Sequence, residues 1–148
     1  MATQLQPQEA FLPAIERWFR ERLGPPTAAQ AKSWPAIRRQ KHVLLTAPTG
    51  SGKTLAAFLC ALNDLATEAL DAGEPLPHET RVLYVSPLRA LGNDIQKNLL
   101  SPLAELKERE PTFPEIDVLV RSGDTPAKER ARMTKRPPHV LVTTPESL

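Results

Sequence analysis

The 148-residue sequence predicts an α/β fold, a parallel sheet with helices on both faces. Short apolar runs alternate with longer stretches of helical periodicity. The runs are apolar along most of their length, as strands covered on both faces are, and most of the 16 prolines punctuate the segments between them.

Taken in order, Phe11, Ile15, Trp18, Phe19 and Leu23 share one helical face, and Gly24-Pro25-Pro26 stops that helix. Thr27 caps a second helix reaching about Ile37, which Pro35 bends or ends. Val43-Leu44-Leu45-Thr46 reads as the first strand. Leu55, Phe58, Leu59, Leu62, Leu65, Ala69 and Leu70 then mark a helix from Lys53 to about Ala72, stopped by Gly73. Val82 to Val85 is a second strand. Leu88, Leu91, Ile95, Leu99, Leu103 and Leu106 keep helical spacing, with a break at Ser101-Pro102 where a second segment is capped afresh. Ile116 to Val120 and Val140 to Thr143 are the third and fourth strands, with a short helix from Ala127 to Met133 between them. Ligands of such sheets bind at the carboxyl ends of the strands. Thr46-Ala47, Ser86-Pro87, Arg121-Ser122 and Thr143-Thr144 are therefore expected along one edge.

The length suits one domain with a real core. A net charge of +2, from 19 basic and 17 acidic residues, does not by itself demand a nucleic-acid partner. The sole cysteine, Cys60, lies within a predicted helix, which excludes an internal disulfide and fits a reducing compartment and a core thiol. Neither a signal peptide nor a run of membrane-spanning length is present, so a cytoplasmic protein with no membrane partner is expected. Trp18 and Trp34 read as core or nucleotide-edge packing.

The chemistry concentrates in Ala47-Pro-Thr-Gly-Ser-Gly-Lys-Thr54, a Gly-rich turn between a strand and a helix. Gly50 and Gly52 permit positive φ, so successive N–H groups can face a phosphate while the helix that follows presents its positive end. Lys53 would set its cation on the β- and γ-phosphates, and the Thr54 hydroxyl would be a Mg²⁺ ligand. Such a pattern arises by chance in on the order of 1% of chains this long, and the flanking elements lower that further. The octet thus assigns Lys53 and Thr54 to catalysis and Thr49, Gly50, Ser51, Gly52, Lys53 and Thr54 to nucleotide binding.

Together with Pro26-Thr-Ala-Ala-Gln30, Ser86-Pro-Leu-Arg-Ala-Leu91 and Thr143-Thr-Pro-Glu-Ser-Leu148, this octet makes the chain resemble the first RecA-like P-loop domain of a superfamily 2 DEAD/DEAH-box helicase. The wording of the last two motifs is most like the large helicase-related (Lhr) branch. The resemblance implies that residues 1–148 are the N-terminal part of that domain, 1–40 being a helical region with the Q motif at Pro26–Gln30, and 41–148 an α/β core truncated after motif Ib, Thr143–Leu148. It implies ATP and Mg²⁺ as cofactors, with Gln30 reading the adenine edge. Single-stranded DNA or RNA is the implied partner, contacted through Pro87, Arg89, Ala90, Gly123, Thr143, Thr144 and Pro145. Between Arg121 and Arg136, six basic residues face two acids, Asp124 and Glu129, and a solvated surface explains that excess as well as nucleic-acid contact does.

A nucleotide hydrolase also needs acids at a strand end to hold the metal and orient water. No apolar run within these 148 residues ends in Asp-Glu, and a second RecA-like domain is not among them. The chain is therefore expected to be the ATP-binding part of a larger ATP-dependent helicase and to turn over poorly alone. A half-complete sheet also predicts self-association through its uncovered edge. Two alternatives stand beside this reading: another P-loop enzyme such as a kinase, and a non-catalytic half domain that binds nucleotide or nucleic acid.

Overall fold

The computed structural model describes residues 11–87, 92 and 94–148. They fall into two compact units whose boundary lies between Asp64 and Leu65.

In the first unit, helix α1 (Pro13–Leu23) opens with proline at its first turn and ends at Gly24, whose φ is 80°. It buries Ile15, Trp18 and Phe19. Helix α2 (Ala28–Arg38) starts from a capping box: the Thr27 hydroxyl accepts from the Gln30 N–H, and the Gln30 side chain accepts from the Thr27 N–H. Pro35 sits inside this helix without ending it. Termination comes later, from a left-handed Gln40 (φ 55°) whose N–H donates to Ile37 while Lys41 N–H donates to Ala36. Trp34 forms T-shaped pairs with two rings, Phe11 at 4.9 Å and Phe19 at 5.3 Å. Both tryptophans are buried, so packing is their observed role in the unit.

Residues 43–46 do not form the expected first strand. A strand exists only where a neighbour completes its ladder, and among the described residues none pairs with this run. Leu44 is consequently 92% exposed. The helix after the Gly-rich turn forms as expected: α3 (Lys53–Ala72) ends at Gly73, with φ 67°. Its buried positions include Leu55, Phe58, Leu59, Leu62 and Leu65. Cys60 is buried with them, and burial pushes its thiol up to about 12 against a smaller downward pull from Arg38.

The second unit holds a three-stranded parallel sheet ordered β1-β3-β2, with β1 at Val82–Val85, β2 at Val118–Arg121 and β3 at Val140–Thr143. Val140 lies in register with both Val82 and Val118. Central β3 buries Val140 and Val142 completely, whereas edge strand β1 alternates and leaves Leu83 and Val85 exposed. β2 begins later than the sequence suggests because the Asp117 N–H donates to His139 Nδ1 (2.8 Å) instead of joining the ladder. Before helix α4 (Ser101–Arg109), a π-helical turn, Gln96–Leu100, runs straight into it. The expected fresh cap at Ser101 is absent, and the wider turn accommodates Pro102, which has no N–H to donate. Helix α5 (Ala127–Lys135) joins β2 to β3.

Candidate functional site

The octet folds as its residue types require. Gly50 and Gly52 both take left-handed φ, 82° and 79°. At Gly52 a second constraint applies, since an added Cβ would collide with the Gln30 carboxamide. Thr49 and Gly50 are exposed, while Ser51, Gly52, Lys53 and Thr54 are half-buried where α3 begins. Lys53 folds back over the turn, its Nζ donating to the carbonyl oxygens of Ala47 and Pro48 (2.8 Å for the latter). An ammonium held by two carbonyl oxygens keeps its charge uncompensated, ready for an anion.

The turn is held from one side by the start of α2. The Thr27 hydroxyl donates to Ser51 O at 2.7 Å, and Gln30 Nε2 donates to Gly52 O at 3.3 Å. The capping box of a helix therefore doubles as a clamp on the loop. Gln30 is only 3% exposed. An amide offers two N–H donors and two acceptor positions, so Thr27 and Gly52 each use one and leave one of each. Thr27 is the residue that sequence reasoning missed as part of this site. Its signal was available, because Thr27-x-x-Gln30 has capping-box spacing.

The octet's fit to a magnesium nucleotide rests on this donor set: left-handed glycines, a helix start and a cation on carbonyls. Thr54 lies half-buried on the first turn of α3.

In the second unit the carboxyl ends of the strands carry the other expected residues. Ser86 is buried and its N–H donates to Thr143 O (3.0 Å), and Pro87 beside it is exposed. Arg89 and Ala90 lie outside the described residues. Thr143 and Thr144 are 1% and 2% exposed. The Thr144 hydroxyl pairs with the Ser147 hydroxyl (3.2 Å) where a 3₁₀ turn, Pro145–Ser147, begins. Gly123 is exposed in a turn closed by Thr125, whose hydroxyl accepts from the Ser122 N–H at 2.9 Å.

At the opposite ends of the strands, His78, Asp117 and His139 bring potential metal-ligand atoms within 4.8 Å of one another. The Asp117 N–H already occupies the Nδ1 lone pair of His139, which puts that ring's proton on Nε2. The trio thus lacks a second free imidazole lone pair, and its Asp117–His139 bond ties the start of β2 to the start of β3.

Comparison with known proteins adds identity to this geometry. The DEAD/DEAH box helicase family model matches residues 27–148. The chain is 47% identical over 139 residues to the ATP-dependent helicase Lhr-Core of Sulfolobus acidocaldarius, covering 93% of this chain and 15% of that protein. It is 47% identical over 146 residues to the Lhr helicase/uracil glycosylase of Escherichia coli K12, covering 95% of this chain and 10% of that protein. Among solved structures it is similar to Mycobacterium smegmatis helicase Lhr bound to ssDNA and AMP-PNP, with TM-score 0.78 and 48% identity over 93% of this chain and 17% of that one. The yeast DEAD-box splicing factor Prp28, at TM-score 0.68, 21% identity, 99% of this chain and 35% of that one, shares the fold.

Proposed function

This chain belongs to the DEAD/DEAH box helicase family, and from that premise we propose that it is the ATP-binding portion of an Lhr-like ATP-dependent helicase. The observation that carries the reading is Lys53 folded onto the carbonyls of Ala47 and Pro48, within a loop whose glycines are left-handed. On arrival of a triphosphate the ammonium exchanges those carbonyl oxygens for phosphate oxygens, a stronger charge-assisted pairing. Loop N–H groups and the start of α3 hold the phosphates, and Thr54 would take the Mg²⁺, which neutralises charge on the phosphate oxygens. Gln30 would use its remaining donor and acceptor on the adenine edge.

Single-stranded nucleic acid is the proposed partner, contacted along its backbone by Pro87, Arg89, Ala90, Gly123 and Pro145, with the buried Thr143 and Thr144 beneath that last corner. The solved Lhr relative supports this, being bound to ssDNA. This chain spans between 10% and 17% of the Lhr relatives named above, so helicase action is proposed for the whole parent. The exposed Leu83 and Val85 on the sheet's edge also support self-association of the isolated chain.

Calorimetric titration with ATP and Mg²⁺ tests the reading. Lys53→Ala should weaken binding about 10- to 100-fold, as expected for loss of a charged hydrogen bond worth about 1.5–3 kcal/mol. Phosphate release from the wild-type chain with single-stranded DNA should stay near background, since arginine fingers alone are worth about 10³- to 10⁵-fold in rate. ATP binding that ignores Lys53→Ala would refute the proposed site.

A further inference from the structure

Helix α5 buries none of its residues, although it is the crossover between two paired strands. It carries Lys128, Arg130, Arg132 and Lys135, followed by Arg136, with Glu129 as its one acid. Lys128, Arg132 and Arg136 recur every fourth residue, so like charges stack along one face over about 12 Å at 1.5 Å per residue. Like-charged pairs at that spacing destabilise a helix. Lys128 also stands in the first turn, where the helix dipole disfavours a cation. Among the described residues, the side chains of Lys128, Arg130, Arg132 and Lys135 have neither an ion pair nor a hydrogen bond. Arg136 pairs with Asp117, at 3.9 Å, and with no other acid among the described residues. A nine-residue helix is marginal in water without a packed face. Neither core packing nor pairing explains this sequence, whereas a polyanion would.

Position identifies which polyanion. The helix starts after the Gly123 turn at the carboxyl end of β2, where Arg121 lies in register with Thr143. As a crossover between parallel strands it then returns toward the amino-terminal ends, and Arg132 and Arg136 line a cleft of about 130 Å³ there with Asp117 and Pro138. The cationic stripe is therefore continuous with the edge assigned above to nucleic acid.

We infer that the face of α5 bearing Lys128, Arg132 and Lys135 is an auxiliary phosphate track that holds a nucleic-acid strand as it leaves the strand-end edge. The inference rests on the nucleic-acid half of the proposed function. Fluorescence anisotropy of the chain with a labelled oligothymidylate of about 20 nucleotides, across a salt series, tests both. The variant K128Q/R132Q/K135Q should bind at least about 10-fold more weakly at low salt, with the slope of log K against log salt shallower by about 2 for three lost phosphate contacts. It should melt no lower than wild type, because the substitutions remove repulsion. Unchanged affinity and slope in this variant, with wild type binding, would overturn the track and leave the partner assignment standing. Absence of any wild-type binding would overturn the partner assignment and the track with it. Displacement by polyglutamate as effective as by unlabelled oligothymidylate would reassign the face to an acidic polypeptide and overturn the nucleic-acid inference.

Discussion

Val43-Leu44-Leu45-Thr46 and Val140-Leu141-Val142-Thr143 differ at one position, yet one is open chain and the other the central strand of a sheet. Leu44 is 92% exposed, and Val140 and Val142 are fully buried. The difference lies in neighbours, not residues: β3 has β1 on one side and β2 on the other, and residues 43–46 have no ladder partner among the described residues. Apolar runs state a capacity for strand, and pairing decides it. The consequence for function is direct. The phosphate loop that follows residues 43–46 is held in this structure by the cap of α2, through Thr27 and Gln30, and not by a strand.

The same charge placed in both runs should separate them most strongly. Val142→Asp buries an unpaired carboxylate and should cost about 4 kcal/mol or more, while Leu44→Asp should stay within about 0.5 kcal/mol. Urea unfolding of the two variants reads the difference, and equal losses would mean that residues 43–46 are packed after all. Gly52→Ala comes next, combining a left-handed φ with a collision against Gln30. It should cost about 1–3 kcal/mol and weaken ATP binding, whereas Gly123→Ala, with open space around its Cβ, should be nearly neutral.

Whether the loop's own unit has a true core is read through Cys60. Its thiol is raised when folded, so its stabilising contribution is complete below the ordinary value of 9.0 and is lost as pH climbs from there toward about 12. Wild type should therefore lose up to about 1.4 kcal/mol per pH unit more than Cys60→Ala over that range. Parallel pH profiles from urea midpoints would deny the burial. The smallest effect is a gain: Gln40→Gly, at the left-handed end of α2, should add about 0.5–1 kcal/mol to thermal stability.

Local chemistry made much of this structure legible from sequence. Gly24 and Gly73 stop their helices, Thr27 caps α2, and the octet's glycines take the φ values that its function requires. What escaped depended on partners distant in sequence. The Gln30 carboxamide reaches Gly52 across 22 residues, and the Asp117 N–H reaches His139 across another 22, which shortened β2. Solvation of the threonine corner also escaped, since Thr143 and Thr144 look like surface hydroxyls in a motif but are buried at the end of β3.

We propose that the phosphate loop is a nucleotide site that the cap of α2 holds in place. Titration of the double variant T27A/Q30A with a fluorescent ATP analogue, beside Leu44→Asp, tests it most directly. The double variant should bind at least about 10-fold more weakly, the equivalent of two lost hydrogen bonds at about 0.7 kcal/mol each, and Leu44→Asp should bind as wild type does. A double variant that binds as wild type does, or a Leu44→Asp chain that loses as much, would contradict it.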